Sequence, residues 1–238
     1  MLQFHGFPPF RASGPSRAPS AMNIEQARFN MIEQQIRTWE VLDPAVLDLL
    51  FEVKRENFVP PEHRSLAFAD LEVPLGHGEA MMQPKVEARI LQELAVQPHE
   101  AVYEVGTGSG YLAALMARRA RHVTSVEIYP DLQARAADNL RAAGISNVTL
   151  LQGDSARAPL AESAFDVIVL AGSTPILPQA FLDRLSPGGR LFAIVGDVPV
   201  MKAVIVRQPV PGSFQHTELF ETVVKPLVNA AEPSRFRF

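Results

Sequence analysis

An apolar stretch that runs directly into a glycine-rich loop constrains the fold of this chain most strongly. Residues 101–105 have the length and composition of a buried strand, residues 106–110 read G-T-G-S-G, and residues 111–120 are rich in alanine and leucine. Glycines in such a turn let the backbone approach a ligand closely, and the helix that follows offers free backbone N–H groups. The segment therefore predicts a strand, a ligand-binding turn and a helix, as in open α/β sheets.

Strand-like and helical segments alternate through the rest of the chain. The hydrophobic pattern predicts further strands over residues 122–127, 148–152, 165–170 and 190–195, and helices over 130–143 and 178–185. This alternation is typical of a parallel sheet with right-handed crossovers. Two more strand-like runs, 201–207 and 216–223, suggest an antiparallel edge, and Gly188-Gly189 suggests a turn. The sequence thus predicts an α/β fold, Rossmann-like, with a mostly parallel seven-stranded sheet.

The part of the chain before this alternation has a mainly helical pattern. Residues 22–98 predict a helical cap over the carboxyl end of the sheet, with Asp43 and Pro44 as N-cap and first residue of one helix. Residues 71–78 read as extended, and residues 99–238 form the α/β domain with its closing β segment, in one structural unit with the cap. Residues 1–21 lack the apolar core of a secretory signal and are predicted to be a disordered lead-in.

Composition limits the classes of partner and site. The net charge of −4 gives no broad attraction to phosphate backbones or anionic lipid, so we expect no nucleic-acid and no membrane partner. The chain has no cysteine, and its six histidines lack the spacing of metal ligands, so we expect no disulfide and no metal site. A reducing compartment is permitted, and the predicted location is cytoplasmic.

The glycine loop differs from the loop that binds dinucleotides. Its spacing is G-x-G-x-G rather than G-x-G-x-x-G, and Glu104 precedes the first glycine by two residues. A carboxylate at Glu104 would repel a pyrophosphate but suits a ligand that carries an ammonium and a sulfonium. This charge favours S-adenosylmethionine (SAM) over a nicotinamide dinucleotide as the cofactor.

Two acidic positions follow at the ends of the next predicted strands. Glu127 ends the second strand and can accept hydrogen bonds from ribose hydroxyls, and Asp154, just after the third, can accept from the adenine amine. Taken singly, these features also fit a tight turn, a solvated strand end and a Gly-Asp turn. Their joint order favours a nucleotide-type site. The predicted cofactor-binding residues are Glu104, Gly106, Thr107, Gly108, Gly110, Glu127, Asp154 and Ser155.

With these motifs in place, the chain resembles the protein-L-isoaspartate O-methyltransferases over about residues 28–228. That resemblance implies a class I SAM-dependent methyltransferase fold, a monomer, and methyl transfer to the carboxylate of L-isoaspartyl residues in damaged proteins, a protein-repair reaction. The stretches that carry the resemblance are residues 30–37 (N-M-I-E-Q-Q-I-R), 55–60 (R-E-N-F-V-P), 103–112 around the glycine loop, 165–169, 185–196 and 225–228 (K-P-L-V). The last of these looks like the family's closing strand.

One segment departs from the family pattern. Where the family has G-Q-T-I-S-Q-P, residues 78–84 read G-E-A-M-M-Q-P, so Ala80 and Met82 replace two hydroxyl residues. The resemblance implies that those hydroxyls bind the substrate carboxylate, and methionine cannot donate a hydrogen bond. We therefore consider Ala80, Met82, Ser173 and Thr174 as acceptor-site candidates. Ser173 or Thr174 would replace the missing hydroxyls, or else would only cap a strand-end turn.

No catalytic pair stands out in the sequence, and the implied reaction does not need one. A carboxylate acceptor is already ionised at neutral pH, so positioning in a dry site can supply most of the catalysis. Three functions stay open from the sequence: methylation of isoaspartyl residues, SAM-dependent methylation of another acceptor, and a non-catalytic SAM-binding module.

Overall fold

The computed structural model describes residues 23–160 and 163–233, and its strands alternate with helices as the pattern predicts. The strands are β1 (Val73–Gly76), β2 (Glu79–Met81), β3 (Ala101–Val105), β4 (His122–Glu127), β5 (Val148–Gln152), β6 (Phe165–Thr174), β7 (Leu185–Asp197), β8 (Val200–Val210) and β9 (Ser213–Thr222). The α-helices are α1 (Ile24–Asn30), α2 (Pro44–Glu52), α3 (Pro84–Leu94), α4 (Tyr111–Ala117), α5 (Pro130–Ala142) and α6 (Gln179–Leu182). The predicted lead-in lies outside the described residues.

One seven-stranded sheet organises the described chain. Its strand order is β5-β4-β3-β6-β7-β8-β9, with parallel pairing from β5 to β7 and antiparallel pairing of β8 and β9 at the edge. The chain moves outward from β3 to β5 and then returns to β6 on the other side of β3. This reversal places a crevice at the carboxyl ends of the central strands, where open α/β sheets bind ligands. The predicted Rossmann-like fold is confirmed.

Both faces of the central strands are buried, which explains the continuous apolar runs in β3 and β6. Val102, Val167 and Phe192 face one side, in a core that includes residues of α2 to α5. Tyr103 and Ile168 face the other side, in a second core with residues of α6. The alternation along β3 therefore divides the apolar interior into two layers.

The segment before β3 packs partly on a face of the sheet and partly at its edge. Asp43 caps α2 as predicted, since its side chain accepts from the Ala45 N–H at 2.9 Å. Helix α3 contacts α2, α4 and β7, so the helical part lies against one face. At the carboxyl ends of the strands this segment contributes the β1–β2 hairpin and the residues next to it, and Leu75 of β1 approaches Gly108 there. The segment thus reaches that end through its hairpin, while α3 packs on a face of the sheet, and the helical cap over residues 22–98 stays a prediction.

Helical periodicity from Asn23 predicted a helix, and the structure divides this helix into three kinds of turn. α1 continues as a π-helix over Met31–Ile36 and a 3₁₀-helix over Arg37–Trp39. Asn23 caps the start by accepting from the Gln26 N–H. The apolar side chains of the π-helix are buried, so the wider turn still presents one face to the core.

Two predictions near the end of the chain are wrong. Gly188 and Gly189 lie in an irregular stretch within β7, where its register with β6 shifts, and not in a turn before it. The expected closing strand over residues 225–228 is an isolated parallel bridge between Ser173 and Pro226. β6 continues to Thr174, and its residue Ser173 forms backbone hydrogen bonds with Lys225 and Leu227 of this segment. Among the described helices, none has the length and apolarity needed to cross a membrane.

Candidate active site

A cleft of about 740 Å³, part of it open to solvent, lies at the carboxyl ends of the central strands. Its walls come from the glycine loop, the end of β4, the residues after β5, the β1–β2 hairpin and the segment after β9. Five of the predicted cofactor residues line it: Gly106, Gly108, Glu127, Asp154 and Ser155.

The glycine loop bends around the end of β4. Gly106 and Gly108 have φ angles of 95° and 55°, which residues with a side chain rarely adopt. The Gly106 and Thr107 N–H groups both donate to the Val126 carbonyl, at 2.9 and 3.2 Å. These bonds fix the loop against the neighbouring strand and leave its backbone along the cleft wall.

Gly110 does not line the cleft. It is the N-cap of α4 with a φ of 82°, and a Cβ atom added there would lie 3.2 Å from the Ala136 Cβ atom. A glycine is required here for close packing of α4 against α5. This packing role accounts for the glycine without a ligand, and the cofactor contact of Gly110 stays a prediction.

Glu127 joins the glycine loop to the end of β4. Its Oε2 accepts from the Gly108 N–H at 2.8 Å and its Oε1 from the Tyr129 N–H at 3.1 Å. The residue is 5% exposed and lines the cleft. Because a carboxylate offers about four acceptor positions, these two bonds leave capacity for the hydroxyls of a ligand.

The residues after β5 form the facing wall. The two carboxylate oxygens of Asp154 accept from the Ala156 N–H at 3.1 Å and from the Asn229 amide at 2.7 Å. Ser155 contributes no free hydroxyl, because its Oγ lies 2.8 Å from both the Tyr103 hydroxyl and the Ala158 carbonyl. This wall is thus ordered by local bonds before any ligand arrives.

Tyr103 is a supporting residue that the sequence did not reveal. Its hydroxyl contacts the Ser155 Oγ atom and accepts from the Leu160 N–H, both at 2.8 Å. It therefore connects β3 to the loop that carries Asp154. In the sequence, Tyr103 is only the neighbour of Glu104 on a buried strand, and its supporting role can be recognised only once the fold is known.

Glu104 lies beneath the cleft and not in its wall, contrary to the prediction. Its side chain is fully buried, and its Oε2 accepts from the Ser125 hydroxyl, which also contacts the Thr107 hydroxyl at 2.6 Å. Burial raises the pKa of Glu104 to about 8, against the lowering effect of the Ser125 bond. A pKa of about 8 favours the protonated form of this carboxyl at neutral pH. Thr107 lines a smaller cavity behind the loop, beside Met82.

The hairpin supplies the acceptor-site candidates. Ala80 and Met82 both line the cleft, together with Glu79. The Met82 carbonyl accepts from Arg55, a buried guanidinium that also pairs with the buried carboxylate of Glu87. Arg55 therefore fixes the main chain at Met82, while the Met82 side chain gives the cleft an apolar surface.

Ser173 and Thr174 do not reach the cleft, so their proposed replacement of the missing hydroxyls is corrected. Both are fully buried. The Ser173 hydroxyl donates to the Val224 carbonyl and the Thr174 hydroxyl to the Ile176 carbonyl, both at 2.7 Å. These bonds match the alternative of strand-end capping, because both hydroxyls are used to fix neighbouring backbone.

The comparisons with known proteins agree with this geometry. The model of the protein-L-isoaspartate(D-aspartate) O-methyltransferase (PCMT) family matches residues 26–232. The chain belongs to the PCMT family. Three of its relatives are named protein-L-isoaspartate O-methyltransferases. One from Methanoculleus marisnigri is 39% identical over 71% of this chain and 77% of its own length. One from Rhodopseudomonas palustris is 40% identical over 78% and 77%. One from Koribacter versatilis is 33% identical over 89% and 95%.

Solved structures support the same fold. A Plasmodium falciparum PCMT in complex with S-adenosyl-L-homocysteine superposes with a TM-score of 0.73 at 20% identity, over 86% of this chain and 98% of that chain. Another protein-L-isoaspartate O-methyltransferase gives a TM-score of 0.70 at 23% identity, over 85% and 65%. This PCMT-family chain is a SAM-dependent O-methyltransferase of the Rossmann-like class.

The residues of the cleft fit SAM. Four of the five charged lining residues are acidic, and Leu75, Ile128 and Leu132 give an apolar surface beside Glu127. This combination suits a cationic ligand with an adenosine portion. Glu127 and Asp154 would hold its hydroxyl and amine donors, and the backbone at Gly106 and Gly108 would follow its amino-acid portion. No group of three potential metal ligands occurs in residues 23–160 and 163–233.

Proposed function

We propose that this PCMT-family enzyme transfers the methyl group of SAM to the carboxylate of L-isoaspartyl residues in damaged proteins. The observation that carries the proposal is the family match over residues 26–232, combined with a cleft that places Gly106, Glu127 and Asp154 along one cavity. The relatives' names give the acceptor class, and the open side of the cleft allows a polypeptide to approach.

The residues of the chain would act by binding and orientation. SAM, when bound, supplies a methyl group activated by a sulfonium. An isoaspartyl carboxylate is ionised at neutral pH, so no side chain needs to remove a proton from it. The hairpin at Ala80 and Met82 would exclude water from the acceptor, and Arg55 would keep the main chain at Met82 in place. Orientation of this kind can supply a large part of the rate increase.

A second function, SAM-dependent methylation of a different acceptor, is favoured by one observation. Ala80 and Met82 both line the cleft, and neither can donate a side-chain hydrogen bond to a carboxylate. A site without the donors for its substrate loses selectivity for it. The two functions share the cofactor cleft and differ only in the acceptor.

A methyl-transfer assay separates these functions. Purified protein is incubated with methyl-labelled SAM and either an isoaspartyl peptide or the aspartyl peptide of the same sequence. We expect base-labile label in the isoaspartyl peptide only, and higher activity in Met82→Ser, which restores a hydroxyl. If the wild type labels neither peptide but labels proteins in a lysate, the acceptor is different. If SAM binds and no acceptor is labelled, the chain is a non-catalytic SAM-binding module.

We also infer that the enzyme acts as a monomer in the cytoplasm, with neither nucleic acid nor membrane as a partner. The net charge of −4 supports the lack of a nucleic-acid or membrane partner, and a chain without cysteine fits a reducing compartment. The monomer is what the family resemblance implies. Size-exclusion chromatography with light scattering should give a mass near 26.1 kDa, and cell fractionation should recover the protein in the soluble cytoplasmic fraction.

A further inference from the structure

We propose that Lys225 binds the acceptor carboxylate in place of the hydroxyls that Ala80 and Met82 lack. This inference rests on the proposed function, because it concerns the acceptor side of the same cleft. It assigns specificity to a residue of the segment after β9, which the sequence pattern connected only with a closing strand.

Lys225 is the single basic residue among the described residues that line the cleft. The charged side chains around it are those of Glu72, Glu79, Glu127 and Asp154. Such a surface suits the cationic cofactor but repels a carboxylate acceptor. Among the described side chains of this cleft, Lys225 alone can therefore give an anionic acceptor a direct ionic contact.

The fold holds the backbone of Lys225 firmly at the end of β6. The Ser173 N–H donates to the Lys225 carbonyl at 3.0 Å, and the Ser173 carbonyl accepts from the Leu227 N–H at 2.8 Å. The Ser173 hydroxyl donates to the carbonyl of the preceding residue, Val224, at 2.7 Å. Three bonds from one buried serine thus fix the point from which the lysine side chain extends.

From that point the side chain crosses to the hairpin beside the acceptor-site candidates. Its Nζ donates to the Gly78 carbonyl at 3.0 Å and pairs with the Glu79 carboxylate, next to Ala80. An ammonium has three hydrogens, so these two partners leave one donor. Because 42% of the lysine side chain is exposed, a ligand in the cleft can reach it. The bonds to Gly78 and Glu79 place the ammonium beside the acceptor-site candidates.

Binding of two matched peptides tests this role. One peptide carries the isoaspartyl carboxylate, and the other carries a carboxamide at that position. Both are titrated by calorimetry into protein saturated with S-adenosylhomocysteine. A charge-assisted bond to the carboxylate should make the wild type prefer the carboxylate peptide by about tenfold. Lys225→Met should reduce this preference to about one and raise the KM of the carboxylate peptide about tenfold, with kcat nearly unchanged.

The control is Lys202→Met on β8. Lys202 is 43% exposed and pairs with Glu218, so it matches Lys225 in exposure and pairing, and we expect it to keep the wild-type preference. Glu79→Gln distinguishes a lysine that binds the acceptor carboxylate from a lysine that only stabilises the hairpin through its pair with Glu79. It should keep or increase the preference, because it removes the competing carboxylate and leaves the ammonium.

The possible results distinguish the two proposals. If Lys225→Met weakens both peptides equally, the lysine is only a brace between the hairpin and the segment after β9, and the anchor role is wrong while isoaspartyl methylation stands. If wild-type protein neither binds nor methylates the isoaspartyl peptide, the proposed function is overturned, and the acceptor role of Lys225 is overturned with it.

Discussion

Replacing Glu104 with glutamine tests whether the carboxyl beneath the glycine loop is neutral in the folded protein. Glu104 is fully buried, and its one described hydrogen-bond partner is the Ser125 hydroxyl. Its pKa is raised from 4.5 to about 8, chiefly by burial, and the nearby carboxylates of Glu127 and Glu87 add to the rise. Glutamine keeps the shape and can still accept from Ser125, but it does not titrate.

The size of the effect follows from the two pKa values. Between pH 4.5 and 8 the folded protein keeps a proton that the unfolded chain has released, so folding becomes less favourable as pH rises. Each pH unit costs about 1.4 kcal/mol, so Glu104 lowers the free energy of unfolding by at most about 4 kcal/mol between pH 5 and pH 8. The loss is complete above the folded pKa. Glu104→Gln lacks this loss, and its stability advantage over the wild type should grow over the same interval.

Urea unfolding of both proteins at pH 5, 6, 7, 8 and 9, without ligand, measures this difference. Glu100→Gln is the control, because burial raises the pKa of Glu100 but its bonds from Arg190 and the Gln97 N–H lower it overall. That variant should lose stability relative to the wild type above pH 4.5. A constant difference between Glu104→Gln and the wild type at all pH values would refute a neutral Glu104.

Three further changes test the support of the site. Arg55→Met leaves Glu87 buried without its partner and should lower the free energy of unfolding by about 3–5 kcal/mol. Adding Glu87→Met should restore much of that stability. No loss of stability in the single variant would contradict the buried pair. Gly110→Ala should destabilise more than Gly144→Ala, because both have positive φ but only Gly110 has Ala136 within 3.2 Å of an added Cβ. Tyr103→Phe removes the hydrogen bond to Ser155, which holds the loop after β5 and contributes about 1 kcal/mol. The variant should therefore bind S-adenosylhomocysteine about fivefold more weakly. An unchanged calorimetric affinity would show that Tyr103 does not support the cofactor site.

The local pattern of the sequence predicted most of the fold. Alternating apolar segments gave β3 to β5 and α5 within one residue, because each depends on nearby residues and a regular period. Strand ends were less accurate. β6 extends to Thr174 because Ser173 and Thr174 pair with Ile194 and Val195 of β7 after a shift of register, and such a contact leaves no trace in local periodicity.

The cofactor residues divide in the same way. Gly106, Glu127 and Asp154 follow strands that pair in parallel, so their spacing alone predicted that they would meet. Glu104 has the same spacing signal but lies inside the sheet, since alternation along β3 points it away from the cleft wall. Ser173 and Thr174 were predicted from their position after a strand, and their hydroxyls are used by backbone that the sequence could not place.

Calorimetric titration of S-adenosylhomocysteine into the wild type and into Glu127→Ala tests the central claim most directly. The account predicts one binding site per chain and an affinity that falls about tenfold or more in the variant, because Glu127 both lines the cleft and holds the Gly108 and Tyr129 N–H groups. Absence of heat with the wild type, or equal affinity of the two proteins, would contradict a cofactor site formed by the glycine loop and the end of β4.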